Sequence, residues 1–189
     1  MGNGVVFKKS GVTISRLNTA NAAPLLKPHK TGGSLLARGK TTTTNLSIVP
    51  LDVVYQPTLN RIVVFVQGEN GHLYDKYYNG SNWVWEDQGT PPGTIGLSGL
   101  GVVYQSKLDR IVVFVVGKNG HLYDKYYNGS QWVWEDQGTP SAAIAYTPPR
   151  AVYQSKLDRI VVFVQGLNGH IYDKYYNGSQ WVWEDQGTP

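Results

Sequence analysis

From Arg110 the chain alternates apolar runs with polar punctuation. Arg110–Val116 is almost wholly Val, Ile and Phe; Asn119-Gly120 interrupts it; His121–Tyr127 follows; Asn128-Gly129 interrupts again; and Trp132–Asp136 closes the series. Upstream lie one more apolar run, Leu100–Gln105, and a polar turn, Ser106–Asp109. β-Branched and aromatic residues bounded by Gly and Asn are the composition of strands, and no run has the length and period of a helix. Asn-Gly between strand-like runs is a hairpin signal, so a type I′ turn with positive φ at both central residues is expected at each. The pattern predicts four antiparallel strands followed by a Gly/Thr/Pro-rich link, Gly138–Pro149.

The unit recurs every 49 residues. Arg61–Pro91, Arg110–Pro140 and Arg159–Pro189 are its three copies, and between the last two, counted from Tyr104 and Tyr153, only Val116/Gln165, Lys118/Leu167 and Leu122/Ile171 differ. Four strands per repeat of this length is the signature of a propeller blade. The second strand is apolar on both faces, which suits a sheet packed between two neighbours. The expected fold is therefore all-β: β-propeller blades, three four-stranded antiparallel repeats at about 44–92, 93–141 and 142–189, together forming one domain over 44–189. Leu46–Gln56 is expected as the first strand of the first blade. Closed propellers have four to eight blades, and three leave an apolar face open at each end. Closure by oligomerisation, with a dimer giving six blades, is the favoured expectation. A degenerate fourth blade in residues 1–43 is the alternative, but that segment has no Trp or Tyr, and its Asn3-Gly4 does not lie between strand-like runs.

Charge divides the chain in the same place. Residues 1–51 hold seven of the 17 Lys/Arg and none of the 13 Asp/Glu, leaving ten basic against thirteen acidic residues for the rest. A basic arm over 1–43 is thus joined to a mildly acidic repeat domain. Three readings fit the arm: a flexible tail, an organelle transit peptide, or a segment that contacts nucleic acid or another polyanion. Val6 stands where a myristoylation signal needs Ser or Thr. No signal-peptide segment and no apolar run of about 18 residues is evident. The absence of cysteine excludes a disulfide framework and a Cys-based zinc site.

The three copies together resemble the propeller lectins of the Photorhabdus luminescens lectin type. The resemblance rests on the strand R-I-V-V-F-V-x-G, the strand N-G-H-L-Y-D-K-Y-Y and the closing N-G-S-x-W-V-W-E-D-Q-G-T-P, and it covers some two-thirds of the chain. It implies a multivalent lectin for fucose or O-methylated sugars, held in shallow pockets between adjacent blades, with no catalysis and no required cofactor or metal. Lectins of that type usually carry seven blades in one chain, a number that three blades cannot reach in pairs.

A sugar site needs an aromatic face for the C–H side of the pyranose and fixed polar groups for its hydroxyls. Antiparallel pairing sets the start of the third strand beside the end of the fourth. Candidate carbohydrate-binding residues are accordingly His72, Tyr74, Trp85, Asp87 and Gln88; His121, Tyr123, Trp134, Asp136 and Gln137; and His170, Tyr172, Trp183, Asp185 and Gln186. Core packing between blades is the competing role for the aromatics. Each histidine follows an Asn-Gly turn alone in its repeat, which reads as a solvent-facing turn residue rather than a metal ligand. Glu86 and Asp87 are adjacent on one strand and point to opposite faces, so they form no acid–base pair. Asn79, Asn128 and Asn177 formally match the glycosylation acceptor, but hairpin turns explain them without it. Two further functions compete with a lectin: a structural or adhesive assembly protein docked through the basic arm, and a propeller glycosidase or lyase. Near-identical blades lack the asymmetric acidic pair that the last would need.

Overall fold

The computed structural model describes residues 51–94 and 97–189. Twelve strands form three four-stranded antiparallel sheets, each in simple sequential order. The first sheet comprises β1 (Leu51–Gln56), β2 (Arg61–Gln67), β3 (Leu73–Tyr78) and β4 (Trp83–Gly89). The second comprises β5 (Leu97–Gln105), β6 (Arg110–Gly117), β7 (Leu122–Tyr127) and β8 (Trp132–Gly138). The third comprises β9 (Arg150–Gln154), β10 (Arg159–Gln165), β11 (Ile171–Tyr176) and β12 (Trp181–Gly187). The three sheets are the three blades. The basic arm and the expected start of the first strand at Leu46 lie outside the described residues.

The blades stack face to face through the even and odd positions of their second strands. Val63, Phe65 and Leu73 of blade 1 meet Ile111, Val113, Val115 and Tyr123 of blade 2. On the opposite face of blade 2, Val112, Phe114, Val116 and Leu122 meet Ile160, Val162, Val164 and Tyr172 of blade 3. β6 is buried along its whole length after Arg110. That is why its sequence is a continuous apolar run rather than an alternation. Each buried Val or Phe of this kind contributes about 1.5–3 kcal/mol relative to exposure, and these two seams form the apolar core.

The turns differ from the expected type I′. Gly120 and Gly129 have φ of 81° and 101°, whereas the positive-φ residues other than glycine are Asn60, Asp109 and Asp158. The asparagines act through their side chains instead. Asn128 Oδ1 accepts from the Ser130 and Gln131 amides while the Asn128 amide donates to the Gln131 carbonyl. Asn119 Oδ1 accepts from the His121 amide, and Gly120 donates to the Gly117 carbonyl. A side-chain acceptor that satisfies the loop amides needs only the glycine in the left-handed region, so longer loops replace the two-residue turn. Asn60, Asp109 and Asp158 hold that region between the first and second strands of each blade.

Candidate functional site

The sequence-predicted residues do come together at one rim, and they separate by exposure. His72, His121 and His170 each donate from Nδ1 to the carboxylate of Asp87, Asp136 and Asp185, at 2.9–3.0 Å. Each imidazole stacks near a tyrosine, Tyr74, Tyr123 or Tyr172, at 6.1–6.2 Å between centroids. The Gly187 amide and then the His170 ring hold Asp185 below the usual carboxylate range. These are closed pairs whose hydrogen bonds also fix the hairpin: Asn70, Asn119 and Asn168 donate to the tyrosine hydroxyls. Among the described residues no group of three or more His, Cys, Asp and Glu could hold a metal ion.

Of the remaining candidates, Trp85 and Gln186 are exposed on blades 1 and 3, and those at the seams between blades are covered. Tyr123 and Tyr172 are buried. Gln88 and Gln137 are buried as well, donating from Nε2 to Asp75 and Asp124. Trp134 donates from Nε1 to the Gln88 carbonyl of the preceding blade, and Trp183 repeats this with Gln137. Lys125 and Lys174 donate to the same two carbonyls at 2.7 and 2.5 Å, with their ammonium groups over the Trp134 and Trp183 rings. A buried ammonium on a carbonyl and an indole is a strut between sheets. Burial pushes Lys125 down to about 8.

Between blades 1 and 2 the opposite rim opens into a cleft of about 350 Å³. Blade 1 contributes Gln56, Leu59 and Arg61; blade 2 contributes Asp109, Arg110, Ile111, Tyr127 and Trp132. Tyr127 and Trp132 face each other across the β7–β8 hairpin in register, their rings 6.1 Å apart in an edge-to-face arrangement at 66°. Each arginine is posted by its own blade: Arg110 Nε donates to Gln105 and its guanidinium lies 4.4 Å from the Tyr126 ring, as Arg61 does with Gln56 and Tyr77. Asp109 accepts from Thr58 and Tyr104 hydroxyls, which hold its carboxyl below the usual range. A half-buried indole, an exposed phenol, two fixed guanidinium groups and one carboxylate thus surround a concave space.

None of the cleft residues was among the sequence candidates. The signal that could have found them is the aromatic pair that flanks every Asn-Gly-Ser turn, Tyr78/Trp83, Tyr127/Trp132 and Tyr176/Trp181, with Tyr127 remaining exposed even where a blade covers the rest of the sheet.

No family model and no curated protein matches the chain. Solved structures do. A triple arginine-to-alanine variant of AofleA from Arthrobotrys oligospora is 18% identical with a TM-score of 0.57, over 75% of this chain and 43% of that one. Aleuria aurantia lectin, described as a six-bladed β-propeller with a novel fucose recognition mode, is 13% identical with a TM-score of 0.52, over 75% and 47%. A fucose lectin from Kordia zhangzhouensis, solved with methyl-fucoside, is 15% identical with a TM-score of 0.50, over 74% of this chain and 99% of that one. The chain spans less than half the length of the first two. At these identities the likeness establishes the fold: the described residues are three consecutive blades of a β-propeller.

Proposed function

We propose that the protein is a non-catalytic, multivalent lectin whose sugars sit in clefts between adjacent blades, with fucosylated or O-methylated glycans as the ligand class. The observation that carries this is the blade 1–blade 2 cleft. Trp132 and Tyr127 offer the apolar faces a pyranose requires, and Arg61, Arg110, Asp109 and Gln56 offer fixed donors and acceptors for its hydroxyls. The fold's likeness to the fucose lectins of Aleuria and Kordia supports the same reading. Repeated weak sites on one rigid body gain avidity by orders of magnitude.

A second copy of the chain completes the ring in this reading. The open face of blade 3 is the face that blade 2 buries under blade 3, and the open face of blade 1 is the face that blade 2 buries under blade 1. Phe65 and Phe114 are 1% exposed but Phe163 is 39%; Ile111 and Ile160 are 4% and 5% exposed but Ile62 is 51%. The polar struts are left open in the same way: Lys76 lies over Trp85, and Gln186 is exposed where Gln88 and Gln137 are covered. Two copies joined at both seams give six blades and let Lys76 and Trp85 reach the Gln186 carbonyl of the neighbour.

Titration with methyl α-L-fucoside tests the site. Trp132→Ala should weaken binding at its cleft roughly fivefold to thirtyfold, since stacking contributes about 1–2 kcal/mol. His121→Ala should leave affinity within about twofold. The reverse result would place the sugar at the His–Asp rim instead. Removing residues 1–43 should leave sugar binding intact; its loss would favour the assembly protein docked through the basic arm, whether onto protein, nucleic acid or another polyanion.

A further inference from the structure

The positions that bridge successive blades at the cleft rim are not the same in all three copies. Thr58 of blade 1 donates to Asp109 of blade 2 at 2.6 Å. Lys107 of blade 2 holds Asp158 of blade 3 at 2.5 Å. The third junction falls where blade 3 of one copy meets blade 1 of the next, and there the pair is Lys156 and Asn60. Asn60 already accepts the Tyr55 hydroxyl on Oδ1 at 2.8 Å, as Asp109 and Asp158 accept Tyr104 and Tyr153. Asn60 Oδ1 has a second lone pair, as Asp109 Oδ1 shows by accepting both Tyr104 and Thr58, but the lysine there meets a neutral amide where the other junctions present a carboxylate.

The rest of that junction is ready-made. On blade 1, Asn60, Arg61, Ile62, Tyr78 and Trp83 line a hollow of about 460 Å³. They are the equivalents of Asp109, Arg110, Ile111, Tyr127 and Trp132, blade 2's whole share of the intact cleft. On blade 3, Leu157 and Arg159, the equivalents of Leu59 and Arg61, line a hollow of about 370 Å³ together with Asp158, Tyr176, Asn177 and Gly178. Brought together they repeat the cleft with one change of charge. The first cleft sets Asp109 beside Arg61 and Arg110, and at the second junction Lys107 holds Asp158. The junction between copies would hold Lys156, Arg159 and Arg61 around the neutral Asn60, where the other junctions carry a carboxylate; Asp158, beside Arg159 in the blade 3 hollow, is held by Lys107.

We propose that this inter-copy cleft takes an acidic saccharide, its carboxylate received by Lys156 and the two arginines, while the clefts within the chain take neutral sugar. The site is incomplete in one copy, because Lys156 and Arg159 come from one chain and Asn60, Arg61, Tyr78 and Trp83 from the next. It rests on the two-copy ring proposed above. The carboxylate of an acidic sugar replaces the protein carboxylate that the other junctions carry, and a planar guanidinium suits it. Its attraction should weaken with added salt.

The test combines light scattering with calorimetric titration of the full chain, using N-acetylneuraminic acid and methyl α-L-fucoside as probes. The wild-type ring should bind the acidic probe at one site per chain. Asn60→Asp restores the missing carboxylate and should lower the affinity for the acidic probe, relative to the fucoside, roughly fivefold to tenfold, with no change in mass. Asp158→Asn frees Lys107 at the second cleft and should raise the acidic stoichiometry to two per chain. A ring of two copies that ignores the acidic probe, or an Asn60→Asp ring that binds it as well as wild type, overturns the inference and leaves the lectin reading standing. A single-copy mass overturns the two-copy closure itself, and this site with it.

Discussion

Phe163→Glu is expected to leave the chain folded but to keep it as a single copy. Phe163 is 39% exposed on the open face of blade 3, so a carboxylate there meets water while the copies are apart. In the two-copy ring the same position takes the place of Phe65 and Phe114, each only 1% exposed against the next blade. An unpaired carboxylate buried there costs several kcal/mol, and each ring has two such seams. Association should weaken at least a hundredfold. The measurement is mass by light scattering across a concentration series, with far-ultraviolet circular dichroism confirming the strands. Phe114→Glu is the matched comparison: the same change within the chain should unfold it. A Phe163→Glu protein that assembles as wild type does would show that blade 3's open face is not the interface.

Asp124→Asn should stabilise the protein at pH 8 and have little effect at pH 4. Asp124 is buried on the blade 2 face that blade 3 covers, and desolvation pushes its carboxyl up to about 7, against the favourable hydrogen bond from Gln137. Glu135 adds to the rise and Arg110 opposes it. An acid whose folded pKa exceeds its unfolded value holds its proton more tightly when folded. Folding therefore loses free energy as the pH climbs from about 4 to about 7, and the loss is complete above that. Asparagine keeps the oxygen that Gln137 needs and cannot ionise. The expected gain at pH 8 is roughly 2–4 kcal/mol, read from denaturant unfolding at one chain concentration. Equal gains at both pH values would mean that the carboxyl is not the source.

The arrangement of blades was legible because the apolar pattern is redundant. Val112, Val113, Phe114 and Val115 are apolar on both faces for the single reason that β6 has a neighbour on each side. Three copies of one pattern leave little room for another topology. The turn type was not legible, since Asn-Gly serves a two-residue turn and a longer loop equally well. What decides is the Asn128 side chain, whose two backbone hydrogen bonds are a matter of geometry rather than composition. The residues that line the blade 1–blade 2 cleft were not legible for a related reason. Strand pairing correctly joined His121 to Asp136, but it could not tell which rim opens into a cleft. Near-identity between blades 2 and 3 also hid the informative differences, which lie against blade 1: Asn60 beside Asp109 and Asp158, and Thr58 beside Lys107 and Lys156.

Buried polar groups at the seams explain how weakly divergent sheets stay in register. Lys125 and Trp134 converge on one carbonyl of blade 1, and Lys174 and Trp183 on the same carbonyl of blade 2. A one-residue slip between blades would strand a buried ammonium, which is far more costly than misplacing a valine. The same seam contacts hold Trp132 and Arg110 on blade 2 against Arg61 on blade 1 around the cleft.

The most direct measurement of the central claim is binding of the full chain to a printed glycan array, with mass determined on the same sample. Selective retention of fucosylated or O-methylated glycans, competed by the free sugar, is the expected result. A blank array from folded, assembled protein at high concentration would contradict it.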